Sequence, residues 1–356
     1  MADMTKQLEA EVLAAYEAGQ ALNIVGGGSK GFLGRETAER AEHQVFNLSE
    51  HSGIVSYQPV ELVLTARAGT TLTEIEAALD EQGQMLAFEP PHFGETDTIG
   101  GTLACNLSGP ARPWGGSVRD HVLGIRLING MGEHLRFGGQ VMKNVAGYDV
   151  SRLQAGAMGT LGVITEISLK VMPKPAHTVT LTQAISADEA ITLMNKRAGV
   201  AKPLTAACWI DGVLYLRLAG ARAAVEATQT QWGGDVLEEA DAFWRKLRDQ
   251  QHAFFSGDEP LWRFSVKPTA ALAELEGDQL LDWGGAQRWY RGEGRLGMMQ
   301  LIATEAGGQV SLFRGGDRSE EVAHTQPEVL QRIQIQLKQR FDPKGIFNPG
   351  RVYGWL

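Results

Sequence analysis

Along the first half of the chain, short apolar runs alternate with glycine-rich breaks. Leu8, Val12, Leu13 and Tyr16 recur at helical spacing, which predicts a helix over residues 4–18. Residues 22–25 read as a strand that runs into Gly26-Gly27-Gly28-Ser29-Lys30-Gly31, and residues 44–48 as a second strand. Residues 60–66 give a third. Thr71 and Glu74 have the spacing of a capping box for a helix to about residue 82. Residues 85–88 predict a short strand, and a run of small residues extends from Gly100 to Gly109. Residues 122–129 and 133–137 alternate around Asn129-Gly130, a hairpin signal. A short helix (148–153) and a strand (162–171) follow, ending at Pro173 and Pro175, where both periodicities break.

The pattern then changes. Strand, helix, strand, strand and helix are predicted at 178–183, 187–197, 205–210, 213–219 and 221–231. Residues 327–340 form an amphipathic helix with Pro327 in its first turn. Because 356 residues exceed what one ordinary core needs, an α+β fold with more than one domain is expected, divided near residue 175.

Charge narrows the function classes. A net charge of −9 leaves no basic stripe for a nucleic acid. Cys105 and Cys208 match no metal or redox spacing, and a reduced, intracellular setting suits them. The residues MADMTKQLEA lack the apolar stretch of a secretory signal, and no run of ~18 apolar residues exists to span a membrane. A cytoplasmic location is expected, with peripheral attachment to the inner membrane through a partner left open.

Glycine is the informative excess: 43 residues, against a usual ~7%. Gly26, Gly28 and Gly31 satisfy G-x-G-x-x-G, but residues 32–40 carry no apolar helical stripe, so the dinucleotide fold that motif announces is a poor match. A loop whose amides form an anion nest explains these glycines, as does a plain turn. A second small-residue segment, Thr98-Ile99-Gly100-Gly101 through Asn106, Ser108 and Gly109, offers bulk-free backbone for a planar ring. A third, Gly159-Thr160-Leu161-Gly162-Val163-Ile164, turns into a strand.

These three segments in this order, with Gly147-Tyr148-Asp149-Val150, resemble the FAD-binding PCMH-type domain of the vanillyl-alcohol-oxidase family, in particular its 2-hydroxy-acid dehydrogenases. The likeness covers about residues 20–175. The tail from Phe341 to Arg351 resembles the family's C-terminus, which returns to the flavin domain. Val141 to Asp149 and Phe88-Glu89-Pro90-Pro91-His92 are similar to the E subunits of bacterial glycolate oxidase. The resemblance implies an FAD domain at 1–175, with lobes of about 1–50 and 51–175, a cap at 176–326 and a returning segment at 327–356. It implies FAD held by Val25, Gly26, Gly27, Gly28, Ser29 and Lys30 around the pyrophosphate. Pro91, Thr98, Ile99, Gly100 and Gly101 would border the flavin, Asn106, Ser108 and Gly109 would lie along it, and Gly159, Thr160, Gly162, Val163 and Ile164 would supply backbone contacts. It also implies partners: a catalytic FAD-binding glycolate oxidase subunit and an iron–sulfur subunit.

Two departures from the family pattern shape the expected mechanism. Ser29 stands where some relatives carry the histidine that bonds FAD, so non-covalent binding is expected. The His-x-x-Gly-Asp-Gly-Asn-x-His stretch of the hydroxy-acid dehydrogenases is absent, and Met158 replaces a family glutamate. His92 is the remaining candidate base; no metal site is expected. Arg112, Arg263, Arg288 and Arg314 are candidate carboxylate binders, and Lys143 a candidate neighbour of the flavin. Six tryptophans after residue 176 (Trp209, Trp232, Trp244, Trp262, Trp283 and Trp289) are core residues on the ordinary reading, and their number in one domain raises the alternative of a partner-facing surface. The expected role is an electron-relaying or assembling flavin subunit that turns over glycolate to glyoxylate only with its partners. The alternatives are a self-sufficient dehydrogenase and an assembly protein with a structural flavin.

Overall fold

The structure, a computed structural model, describes residues 3–36, 38–139 and 149–356. The helix Thr5–Ala18 ends where Gly19 turns left-handed (φ 66°) and its amide bonds back to Ala15 and Tyr16. Its apolar stripe, Leu8, Val12 and Ala15, packs with Leu22, Phe46 and Leu48. The strands Leu22–Val25 and Gln44–Asn47 pair in parallel. Two strands and one helix bury too little apolar surface on their own. The tail completes this core: Ile346 and Phe347 enter it, and Phe347 bridges to Leu22.

A five-stranded antiparallel sheet follows, in the order Ile54–Gln58, Val63–Arg67, Val163–Lys170, Val122–Ile128, His134–Gly138. The helices Leu72–Asp80 and Ile99–Cys105 cover it through Leu72, Ile75, Leu79, Ile99 and Leu103. Three local readings need correction. The strand expected at 60 begins at Val63, because a 3₁₀ turn at Pro59–Glu61 and a left-handed Leu62 precede it. The strand expected at 85–88 is only Gln84–Met85. The small-residue run is a helix, Ile99–Cys105, where packing on Ala68 outweighs the low helix propensity of Gly100 and Gly101. The hydroxyl of Thr71 accepts from the Glu74 amide at 3.2 Å, one half of the expected capping box. The expected hairpin forms, across a wider turn held by the Asn129 side chain, which accepts from Met131 and Glu133. Of the motif Val141 to Asp149, residues 141–148, Lys143 included, lie outside the described residues.

Gln84–Met85 pairs with Met172–Pro173 in a small ribbon, and the strands from His177 onward form one eight-stranded antiparallel sheet. Its order is Asp235–Val236, His177–Ala184, Val213–Gly220, Leu204–Ile210, Asp278–Asp282, Gln287–Arg291, Leu261–Ser265, Gln309–Arg314. Strand alternation gives it two apolar faces. Leu281, Tyr290, Trp262 and Leu312 face the helices Ala187–Ala198, Arg222–Trp232 and Leu296–Glu305. Their neighbours Leu280, Trp289, Leu261 and Phe313 face the other way, with Leu33 and Leu107 of the glycine-rich half. A shared core thus joins the two halves, and the space between them is where a site can form.

The tryptophans belong to these cores, which favours the core reading over a partner surface. Trp244, Trp262, Trp283 and Trp289 are buried, and Trp209 and Trp232 are half-buried. The indole N–H groups are satisfied inside the fold: Trp244 donates to Thr180, Trp262 to the Gly292 carbonyl and Trp283 to the Gly109 carbonyl.

The tail helix Glu328–Phe341 ends on a buried ion pair, Lys338–Asp342 at 2.8 Å. Lys338 also donates to the carbonyls of Thr160 and Phe347, and Asp342 accepts from the Ile346 and Phe347 amides. Breaking a buried pair on one side leaves the other charge stranded. Asp342→Asn should therefore cost about 3–5 kcal/mol, read from denaturant unfolding. A loss under 1 kcal/mol would mean that the tail is held by its apolar residues alone.

Candidate functional site

The glycine loop leaves the strand Leu22–Val25 and lies against residues 94–98. Packing explains its glycines unequally. A Cβ on Gly27 would meet the Thr96 carbonyl at 1.6 Å, and one on Gly26 the Thr98 hydroxyl at 2.6 Å. Gly28 has φ 76° and open space around it. The loop folds over itself by Gly31 N–H to the Gly28 carbonyl and Leu33 N–H to Lys30. Among the described residues, the amides of Gly27, Gly28, Ser29 and Lys30 have no acceptor. Four successive open donors make a nest for an anion.

Beneath the loop, Asp97 is the organising group. It is fully buried and pairs with Lys30, accepts from the Ser29 hydroxyl and takes the amides of Phe93 and Gly94. Burial alone would raise its pKa, but Lys30 and these donors outweigh burial and hold its carboxyl below the usual range. The Lys30 ammonium is committed to Asp97, so what this residue offers the cleft is its amide and its stem.

The loop opens onto a cleft lined by all three glycine-rich segments. Val25, Gly26, Gly27, Gly28, Ser29 and Lys30 line one side, Thr98, Gly100 and Gly101 another, and Gly159, Gly162 and Ile164 the floor. Other expected residues lie elsewhere. Ile99 and Val163 point into the cores. The Thr160 hydroxyl turns back to the Ala157 carbonyl. Asn106 caps its helix in a left-handed conformation, outside the lining. The helix Ile99–Cys105 contributes wall rather than donors, since the amides of Ile99, Gly100 and Gly101 bond to Thr70, Ala68 and the Thr98 hydroxyl.

The lining also includes residues outside the expected set, among them Arg40, Cys105 and Arg351. Burial raises the pKa of the Cys105 thiol, so it stays protonated near neutral pH. Arg40 and Arg351 are close enough to repel; burial first, then Arg351, brings the Arg40 pKa down to about 10. Nothing in the spacing of a single arginine announces a place in a cleft. The buried Arg351 Nε atom without an acceptor and the four open amides together fit the diphosphate of FAD.

Pro91, Ser108 and Gly109 fall in a second cavity, between the two halves, with Phe93 at its edge. The eight-stranded sheet supplies its chemistry. Arg263 Nε donates to Gln287 at 2.9 Å, and Gln287 donates to Asp282 at 3.2 Å. Burial lifts the Asp282 pKa to about 7, against the opposing effect of the Trp283 amide. Burial, with Arg112 nearby, lowers that of Arg263 to about 10. A buried carboxyl that titrates near neutrality and a cation thus share one cavity. Arg263 is among the expected carboxylate binders, whereas a lone Asp at the end of a strand leaves no sequence signal, so Asp282 was missed.

His92, the expected base, is not in either lining. Its ring faces Glu76 at 3.1 Å, and its amide is held by Asp249. Among the other arginines, Arg288 is tied to the carbonyls of Gly285, Ala271 and Ala270, and Arg314 to Gln250. Arg112 lies over the Trp283 ring at 4.5 Å. No cluster of three metal-ligating side chains and no helix long and apolar enough to cross a membrane occurs among the described residues.

Comparison with known proteins agrees with this geometry. A family model described as an FAD binding domain matches residues 1–138. The chain is 47% identical over 354 residues to the glycolate oxidase subunit GlcE of Escherichia coli (strain K12), covering 99% of both chains. It is 26% identical over 344 residues to a D-lactate dehydrogenase of Archaeoglobus fulgidus, covering 80% of this chain and 76% of that one. It is 34% identical to the glycolate oxidase subunit GlcD of Bacillus subtilis (strain 168), over 36% of this chain and 27% of that protein. Among solved structures, an alkyldihydroxyacetonephosphate synthase shares the fold with a TM-score of 0.67 at 16% identity, covering 97% of this chain and 75% of that one.

The loop geometry separates neighbouring glycines. Gly27→Ala should lose most of the bound flavin, because the Thr96 carbonyl has to move. Gly28→Ala should keep most of it at a strain cost of ~1 kcal/mol, whereas Gly28→Asp should lose it by like-charge repulsion. Flavin absorbance per chain measures all three, and full occupancy in Gly28→Asp would remove the loop from the phosphate site.

Proposed function

The chain belongs to the family of glycolate oxidase subunit GlcE, and from that premise we propose that it is the FAD-bearing subunit of a complex oxidising glycolate to glyoxylate. FAD is its cofactor, and when bound supplies a two-electron acceptor. We read the chain as an FAD domain (1–175), a cap (176–326) and a returning tail (327–356). The carrying observation is the cleft itself: four open amides of the glycine loop and the buried Arg351, in a lining drawn mostly from the glycine segments, suit a non-covalent dinucleotide. Ser29 supports the absence of a covalent link, since its hydroxyl is bonded to Asp97. The proposed partners are a catalytic flavoprotein subunit and an iron–sulfur subunit. Between them this chain relays electrons or completes the assembly.

A second reading, oxidation on this chain alone, gains support from Asp282 and Arg263. Removing hydride from a 2-hydroxy acid needs a proton acceptor near the hydroxyl and a cation for the carboxylate. His92 is turned away from both cavities, but Asp282 and Arg263 offer both roles in one. Ionised Asp282 is the acceptor, so this activity rises as pH climbs through about 7.

Anaerobic mixing with glycolate and D-lactate distinguishes the readings. The lone chain should keep its flavin absorbance, and bleaching should appear once the partner subunits are added. Bleaching of the lone chain, with a pH midpoint near 7 and a loss of ~10²–10⁴ in rate in Asp282→Asn, would favour the second.

A further inference from the structure

The cleft contains a cation that the fold itself leaves without a counter-charge. Arg351 is 8% exposed and lines the cleft. Its Nε atom is buried and without an acceptor, and no ion pair of its guanidinium occurs among the described residues. Burying a cation unpaired is costly, and proteins normally pair it or bind an anion there.

The backbone around Arg351 is rigid, so the side chain is placed rather than merely tolerated. The Arg351 carbonyl accepts from Arg35 at 2.8 Å, and its amide donates to Asn348 at 3.2 Å. Asn348 accepts from the Ile24 amide at 2.9 Å and donates to the Met158 carbonyl at 2.7 Å, which ties the tail to two walls of the cleft. A Cβ on Gly34 would strike the Arg351 carbonyl at 2.5 Å, so the two backbones pass in close contact here. Arg40 lines the same cleft, holding Arg35's carbonyl and Asn23. Lys30, the cation of the glycine loop, is already neutralised by Asp97.

A diphosphate carries two negative charges, and Arg351 is the lining cation whose buried Nε atom has no acceptor among the described residues. We propose that Arg351 supplies counter-charge to the FAD diphosphate. The C-terminal segment, rather than the lysine of the glycine loop, supplies the electrostatic part of cofactor binding. This rests on the reading that the cleft binds FAD, and it assigns Arg351 a role that the glycine segments do not imply.

The test uses full-length apoprotein, titrated separately with FAD, ADP and riboflavin. Arg351→Gln should weaken FAD and ADP about tenfold or more, as expected for one charge-assisted contact, and leave riboflavin unchanged. Arg351→Lys should lose less, since the charge remains. Rising salt should weaken FAD binding to the unmodified chain more than to Arg351→Gln. The melting temperature of the apo variant should not fall, because a buried unpaired cation is being removed; a merely structural arginine would lower it. Weakened riboflavin with unchanged ADP would place the arginine on the flavin ring and overturn the proposal, as would unchanged affinity for all three. If Arg351→Gln does not fold, Arg351→Lys and the salt dependence decide alone, and a salt-independent affinity overturns it. Failure of the unmodified chain to bind FAD would instead refute the cofactor reading.

Discussion

The buried pair between Lys338 and Asp342 holds the end of the chain in place, and the small core and the cleft both depend on that. Asp342 takes two amides and the ammonium, so the chain turns sharply after the tail helix. That turn drives Phe347 into the core beside Leu22, where one helix and two strands are otherwise incomplete. Four residues further on, it delivers Arg351 to the cleft. Stability and cofactor binding are therefore coupled through residues 338–351, far in sequence from the glycine loop they serve.

A second buried carboxylate works in the same way on the other wall. Asp97 pins Lys30 and Ser29 of the glycine loop to the amides of Phe93 and Gly94. The loop's own side chains are then occupied, and its backbone amides are what remain to meet a ligand. This division of labour explains a loop rich in glycine yet carrying a lysine that does not reach outward. It also places Phe93 at the edge of the second cavity with Lys30 behind it, at 5.9 Å from the ring centroid.

Much of this was legible in the sequence where periodicity or glycine chemistry speaks. The strands and helices from His177 to Trp232 fall within a residue or two of expectation, because each is strongly amphipathic. The first glycine segment and most of the others do converge on one cleft. What could not be read were long-range pairings of single polar residues. Asp282 sits in no motif, and although Arg351 closes the tail motif, nothing in that motif says that its side chain is buried in the cleft without a partner. His92 looked promising because it is the one histidine inside a flavin motif, yet its ring turns to Glu76. The tryptophans stayed open between core and interface because composition cannot tell one from the other.

The account stands on a cleft that holds one FAD without a covalent bond, and the absorption spectrum of the purified chain tests this most directly. It should show flavin bands at one FAD per chain, and acid precipitation should leave all of that FAD in the supernatant. A colourless chain, or flavin that stays with the precipitated protein, would contradict it.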